Sequence, residues 1–171
     1  QQAEALDAIG HAIIEGVSSG YVEMATSTGK TTVEALLAEA AVRARKRVLL
    51  LAPTVTIAEQ IEGSASTHPT GLARFAQLPE EALVTRHFGG SKGNRTANVV
   101  VSTYAGFLND AKNGHRTLGE FDVIIADECH RSLGKETSEA LRSTTPNAFK
   151  LGLSATPDYA VDRMSEEVYD R

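Results

Sequence analysis

A run of small and hydroxylated residues leads from the first apolar segment of the chain into a helix-forming segment. The run reads Ala25-Thr26-Ser27-Thr28-Gly29-Lys30-Thr31-Thr32. Small residues let backbone N–H groups turn inward around phosphates, and a helix that begins here adds partial positive charge at its N-terminus. In such a loop the Lys30 ammonium reaches the β and γ oxygens of ATP, and the Thr31 hydroxyl can bind Mg²⁺. The pattern predicts a phosphate site in which residues 26 to 32 take part.

The loop departs from the usual phosphate-binding consensus at two positions. Met24 stands where the consensus has a glycine five residues before Gly29, and Ser27 occupies another position where glycine is common. The Ser27 side chain could donate a hydroxyl or obstruct the phosphate, and the residues alone leave both outcomes open. The alternative interpretation is an ordinary helix start, capped by Thr28 and followed by an exposed lysine.

Two adjacent acids, Asp127 and Glu128, end an apolar segment and are followed by Cys129 and His130. Adjacent carboxylates at the end of a strand suit a magnesium-phosphate site. Asp127 would hold the cation, usually through its water shell, and Glu128 would position and deprotonate an attacking water. The alternative is a solvated acidic strand end. Taken alone, His130 is more often a structural or surface histidine, and Cys129 a small packing residue.

A third segment, Gly152-Leu153-Ser154-Ala155-Thr156-Pro157, also follows an apolar run. By itself it predicts only a strand that leads into a turn, with Pro157 ending the strand. Its hydroxyl groups gain meaning only together with the two preceding motifs.

The elements that must position these residues alternate along the chain. Apolar, β-branched segments predict strands at 21–25, 48–52, 82–86, 98–102, 122–126 and 150–153, and helical spacing predicts helices at 3–18 and 31–45. Alternating strands and helices predict one α/β domain with a mainly parallel sheet that is flanked by helices on both faces. Ligands of such sheets bind at the carboxyl ends of the strands.

The composition narrows the class of protein. The chain has 171 residues, 42% hydrophobic and 23% charged, which is enough for one sizeable core. No segment has the roughly twenty apolar residues that a membrane span needs, so we expect a soluble, cytoplasmic protein without membrane contact. The single cysteine excludes an internal disulfide. The chain starts at Gln1 and ends within a pattern at Arg171, so we expect a segment of a longer protein.

The order of the motifs, a phosphate loop, then DECH, then SATP, resembles the superfamily 2 helicases of the DEAD/DEAH-like group, which include restriction-enzyme motor subunits and DNA repair helicases. The resemblance spans nearly the whole chain. It implies a first RecA-like domain over residues 1–171 that binds ATP with Mg²⁺ and, in the intact protein, moves along or opens nucleic acid. It also implies that His130, Ser154 and Thr156 link the ATP site to the nucleic acid.

Further motifs are similar to those of the same family. Gln2 resembles the glutamine that binds the adenine edge, since an amide both donates and accepts hydrogen bonds. Pro53, Thr54 and Gln60 resemble one strand-contact motif, and Ser102 and Thr103 resemble another. In the family these loops hold the sugar-phosphate backbone of DNA or RNA, which would allow local binding despite a net charge of −5.

The resemblance implies that arginines from a second RecA-like domain of the same polypeptide complete the ATP site. The parent could be a restriction-enzyme motor, a repair helicase or an RNA helicase, and DECH rather than DEAD favours a DNA translocase. Two other hypotheses remain: a P-loop module that senses nucleotide without remodelling nucleic acid, and an α/β domain with coincidental motifs. The basic cluster at 43–47 is interpreted as a solvated helix end, since cations there oppose the helix dipole.

Overall fold

The computed structural model describes residues 2–24, 29–64, 67–114, 117–129 and 134–155. The strands are β1 (Ser19–Glu23), β2 (Val48–Ala52), β3 (Val84–His87), β4 (Val99–Thr103), β5 (Val123–Asp127) and β6 (Phe149–Ser154). The helices in these ranges are α1 (Gln2–Ile14), α2 (Lys30–Arg43), α3 (Val55–Glu62), α4 (Gly71–Phe75), α5 (Tyr104–Lys112) and α6 (Lys135–Thr144).

The six strands form one sheet in the order β1-β6-β5-β2-β4-β3, and every pairing is parallel. The central strand β2 is buried along its whole length, as are all five residues of β4. Strands that are covered on both faces become continuous apolar runs, because neither face meets water. The predicted α/β class with helices on both faces is therefore confirmed.

Alternate strand residues belong to two separate cores. Leu50, Val101 and Ile125 pack on the side of helices α1 to α4. Leu49 and Val100 pack on the other side with residues of α5 and α6, including Phe107 and Leu141. Successive side chains of a strand point to opposite faces, so one sheet supports both layers.

The strand boundaries lie within two residues of the predictions, and the shift at β1 is instructive. β2 begins and ends where predicted, whereas β1 covers Ser19–Glu23 rather than 21–25. Ser19 and Gly20 have low strand propensity, but they pair in register with Lys150 and Leu151 of β6. Pairing with a buried neighbour therefore starts the strand earlier than side-chain preference predicts.

The register brings three strand ends together at one edge of the sheet. Glu23 pairs with Ser154, and Leu153 pairs with Asp127, so β6 ends between β1 and β5. The carboxyl ends of β1 and β5 thus lie at the same edge of the sheet, on either side of β6. Within the described ranges, no helix is long and apolar enough to cross a membrane.

Candidate active site

Lys30 is the first residue of α2, and Gly29 is the N-cap of that helix. The Gly29 φ angle of 89° lies in the left-handed region, which favours glycine. The amides of Thr32 and Val33 both donate to the Gly29 carbonyl, at 2.9 and 3.1 Å. The alternative of an ordinary helix start with Thr28 as the cap and an exposed lysine does not fit, because Gly29 is the N-cap and only 15% of the Lys30 side chain is exposed. Residues 25 to 28, including Thr26, Ser27 and Thr28, lie outside the described residues.

Gln2 lies against the start of α2, although 27 positions separate it from Gly29 along the chain. A Cβ atom added at Gly29 would overlap the Gln2 side chain, whose amide nitrogen is the nearest atom. Gly29 is therefore needed for a close approach as well as for its φ angle. The structure brings Gln2 to the phosphate loop, and its contact with adenine stays a prediction.

Asp127 and Glu128 stand at the end of β5, and the peptide that joins them is held at both of its polar ends. Its N–H group, that of Glu128, donates to Asp127 Oδ1 at 2.9 Å. Its carbonyl, that of Asp127, accepts from the Tyr104 hydroxyl at 2.9 Å. Glu128 has a φ angle of 48°, which is uncommon for a residue with a side chain. The chain thus turns sharply after Asp127, and both carboxylates remain within reach of one ammonium group, that of Lys30.

Lys30 forms ion pairs with both acids. Its Nζ lies 2.7 Å from Asp127 Oδ1 and also donates to Glu128 Oε1. Burial lowers the pKa of Lys30, but hydrogen bonds and charges from Asp127 and Glu128 outweigh burial, so the pKa is raised overall. Burial raises the pKa of Asp127, and Lys30 only partly opposes this effect. The predicted phosphate lysine and the predicted acids are therefore brought together.

The oxygens at this site fit a magnesium ion that also binds phosphate. Thr31 follows Lys30 in the first turn of α2, and Asp127 lies beside Lys30. Among the described residues, no group of three or more His, Cys, Asp or Glu side chains could hold a metal by itself. Mg²⁺ usually takes one or two protein oxygens and completes its shell with water and phosphate. The oxygens of Thr31 and Asp127, beside the predicted phosphate-binding Lys30, are consistent with this way of binding Mg²⁺.

Glu34, a fully buried acid one helical turn beyond Lys30, was not among the predicted site residues. Only 1% of Glu34 is exposed, and within the described structure neither carboxylate oxygen has a hydrogen-bond partner. Burial, followed by the charge of Asp127, raises the pKa of Glu34 well above its usual value. Burial therefore favours the protonated form of the Glu34 carboxyl. The burial of Glu34 could have been predicted from its position between Val33 and Ala35, in a helix segment that faces the core.

Ser154 ends β6 and is completely buried between the strands that carry the phosphate loop and the acids. Its carbonyl accepts from the Met24 amide at 2.8 Å, which extends the pairing with β1 by one residue. The other two residues with a predicted coupling role, His130 and Thr156, lie outside the described residues.

The predicted strand-contact residues have unequal exposure. Pro53 and Thr54 follow β2, and the exposed Thr54 caps α3 by accepting from the Ile57 amide at 3.3 Å. Gln60 is six positions beyond Thr54, about 9 Å along the helix axis, so the structure does not bring it to the same loop. Its carbonyl instead accepts from the Thr70 hydroxyl.

The second predicted contact segment needs a correction. Ser102 is completely buried, and its hydroxyl donates to the carbonyls of His87 and Thr103, so a Ser102 side-chain contact with nucleic acid is wrong. Thr103, which is 9% exposed, caps α5 by accepting from the Gly106 amide at 3.1 Å. The spacing of hydroxyl residues did not reveal which of them faces the core.

Comparison with known proteins places the chain in a family. The family model described as "Type III restriction enzyme, res subunit" matches residues 1–159. A curated relative, the ATP-dependent DNA helicase uvsW of Enterobacteria phage T4, is 26% identical over 152 residues, which are 85% of this chain and 28% of the relative. The chain thus spans little more than a quarter of that relative.

Solved structures share the fold at low sequence identity. The Pyrococcus furiosus Hef helicase domain is 22% identical with a TM-score of 0.72, and the match covers 98% of this chain and 36% of that one. S. cerevisiae Dbp5 bound to RNA and ADP BeF3 is 18% identical with a TM-score of 0.69, covering 90% and 40%. With its phosphate-loop lysine paired to its acids, this chain has the RecA-like fold of superfamily 2 helicases and belongs to the type III restriction enzyme res subunit family.

Proposed function

We propose that this chain is the nucleotide-binding motor domain of a nucleic-acid-dependent ATPase that translocates on DNA or unwinds it. The observation that carries the proposal is the direct pairing of Lys30 with Asp127 and Glu128. Lys30 and Glu128 are 98 positions apart in the sequence, and the three side chains meet at the carboxyl edge of a parallel sheet, where such folds bind ligands. Family membership and the uvsW relative support the same activity.

Nucleotide binding would exchange the partners of Lys30. The ammonium would leave the two acids for the β and γ phosphate oxygens, while backbone N–H groups of residues 26 to 29 and the α2 N-terminus bind the remaining phosphate charge. Thr31 and Asp127 would hold Mg²⁺, which neutralises charge on the phosphates when it is bound. Glu128, released from Lys30, would then accept a proton from the water that attacks the γ-phosphate.

The nucleic-acid track would lie across the loops that follow β2 and β4. Thr54 and Thr103 cap helices whose N-termini point to the edge of the sheet that carries the ATP site. Hydroxyl groups and amides at helix N-termini bind backbone phosphates without base readout. This local mode suits a chain with a net charge of −5. His130, Ser154 and Thr156 would carry the signal between the track and the ATP site.

Other parts of the proposal concern the intact protein. A second RecA-like domain of the same polypeptide would supply the arginines that stabilise transition-state charge. DNA is proposed as the polymer because the DECH form and the uvsW name agree. A cytoplasmic location belongs to the same proposal.

The decisive measurement is ATP turnover by the full-length protein, with and without single-stranded DNA, double-stranded DNA and RNA. We expect one polymer to stimulate turnover, and we expect Glu128→Gln to lower the stimulated kcat by at least about a thousandfold while ATP still binds. The matched control is Glu136→Gln, an exposed acid on α6 that pairs with Lys112. Turnover indifferent to every polymer would instead favour a nucleotide-sensing switch module.

A further inference from the structure

Tyr104 connects the loop after β4 directly to the acid pair of the ATP site. It is the first residue of α5, immediately after the cap residue Thr103, and only 6% of it is exposed. Its hydroxyl donates to the Asp127 carbonyl at 2.9 Å. Strand β2 lies between β4 and β5 in the sheet, so this side-chain bond spans a neighbouring strand. A buried hydrogen bond of this kind joins two loops that backbone pairing does not connect.

The hydrogen bond from Tyr104 holds the peptide between Asp127 and Glu128, and Glu128 is the proposed base for hydrolysis. The Asp127 carbonyl and the Glu128 N–H belong to one planar peptide unit, so a shift of the carbonyl rotates the N–H as well. The N–H is fixed to Asp127 Oδ1 at 2.9 Å, and Glu128 then adopts its φ angle of 48°. Residues in such sparsely populated conformations persist only when their surroundings hold them. Tyr104 and the Asp127 carboxylate both hold this peptide.

The backbone of Tyr104 lies in the first turn of α5, beside the proposed nucleic-acid track. Thr103 caps α5 through the Gly106 amide, so the first turn of α5 and the Tyr104 backbone form one hydrogen-bonded unit. A phosphate that binds at this turn would shift or tighten the unit that carries Tyr104. Because Tyr104 is nearly buried, its ring would transmit that displacement within a packed core.

We propose that Tyr104 is a positioning residue that transmits nucleic-acid binding at the start of α5 to Glu128 through the Asp127–Glu128 peptide. The inference rests on the proposed function and adds a route of stimulation to it. The route is separate from the motif formed by Ser154 and Thr156. In this proposal Tyr104 acts through the Asp127 carbonyl that its hydroxyl binds, so its loss changes the rate of stimulated hydrolysis rather than the binding of ATP.

The test compares full-length wild type with Tyr104→Phe, which removes only the hydroxyl. We expect the ratio of stimulated to basal kcat to fall about five- to tenfold, the loss expected for one buried hydrogen bond. The KM for ATP and the Kd for the stimulating polymer should stay within about twofold of wild type. The melting temperature should stay within about 3 °C of wild type. The control is Tyr21→Phe, the same chemical change in a tyrosine packed against the same core.

The measured rates and affinities distinguish a transmitting role of Tyr104 from a purely structural role. An unchanged ratio, or an equal fall in basal and stimulated rates, would overturn the proposed link. A fall that is accompanied by weaker ATP and polymer binding and a lower melting temperature would indicate a structural role only, and would also overturn it. If the wild-type protein is not stimulated by any polymer, the proposed function itself fails together with this inference.

Discussion

Lys30 supplies the counter-charge of its own site when nucleotide is absent. The ammonium binds two partly buried carboxylates, and in the described part of the chain it is the cation that pairs with them. Removing one partner of such a group leaves uncompensated charge, which is costly in a low dielectric. ATP must therefore displace an existing ion pair, and the measured affinity is a difference between two sets of charge interactions.

Glu34 lies one turn beyond Lys30 and contributes unfavourably to folding. Its carboxyl is buried without a described hydrogen-bond partner, so replacing it by Met, which is apolar and of similar size, should raise the free energy of unfolding by about 1–3 kcal/mol at pH 7. Thermal unfolding of Glu34→Met against wild type measures the effect. Glu136→Met, at an exposed position of α6, is the control that should change stability little.

The advantage of Glu34→Met should grow with pH. The pKa of Glu34 is raised in the folded chain, so below the usual value of 4.5 both states hold the proton and no penalty arises. Above that value the unfolded chain ionises while the folded chain does not, and wild type loses stability until the folded pKa is reached. A stability difference that stays constant between pH 5 and 8, or that reverses sign, would contradict this account.

At the scale of elements, the helix α3 depends on a glycine at its C-terminus. Gly63 has a φ angle of 81°, and a Cβ atom there would overlap the Thr70 carbonyl. Gly63→Ala should therefore lower the free energy of unfolding by about 3 kcal/mol or more, since backbone strain and overlap add. Gly16→Ala separates the two causes, because Gly16 has a similar φ of 79° but open space around it, and should cost only about 1 kcal/mol.

Chemical denaturation of the two variants provides the comparison. Similar losses for Gly63→Ala and Gly16→Ala would mean that the segment around Thr70 moves aside at little cost. The Thr70 segment would then be displaced from α3 more easily than the close approach of its carbonyl to Gly63 indicates.

The elements also show what the sequence could predict. Runs such as 48–52 identified their strands because a doubly covered strand must be apolar along its length. The alternation predicted the fold class, and the motif order predicted that Lys30, Asp127 and Glu128 would meet. Local patterns could not reveal that Ser102 is buried or that Gln60 lies near the far end of α3, because both depend on how a helix sits on the sheet.

Two contacts of the site could not be predicted in detail. No pattern indicates the bond from Tyr104 to Asp127, which spans a strand, and the motif that predicted Gln2 at the nucleotide site did not show that its side chain lies against Gly29. Such contacts are set by three-dimensional packing, and single residues carry little signal of them. The buried Glu34 violates the rule that core positions are apolar, so a pattern search treats it as a surface acid.

For the molecule as a whole, the site is proposed to be one half of a catalytic interface. Within the described residues, the cation at the acid pair is Lys30, and this chain matches only 28% of its curated relative. We therefore expect the isolated 171-residue chain to hydrolyse ATP at least about a thousandfold more slowly than the full-length protein, because arginines supplied by a second domain contribute rate factors of that size.

Steady-state turnover of both proteins at saturating ATP measures this ratio. Vigorous hydrolysis by the isolated chain would show that a second domain is not needed for the chemistry. The proposed arginine contribution would then have to be abandoned.

The strand order also determines when this machinery can exist during protein synthesis. Within the described sheet, β1 lies at an edge and pairs with β6, so residues 19–23 wait for partners at 150–154 that the ribosome makes more than a hundred residues later. A nascent chain can assemble β2, β4 and β5 earlier, but the strand that presents the phosphate loop is placed last. Chains that stop short of β6 would therefore lack a formed ATP site, and incomplete translation products would not compete for nucleotide.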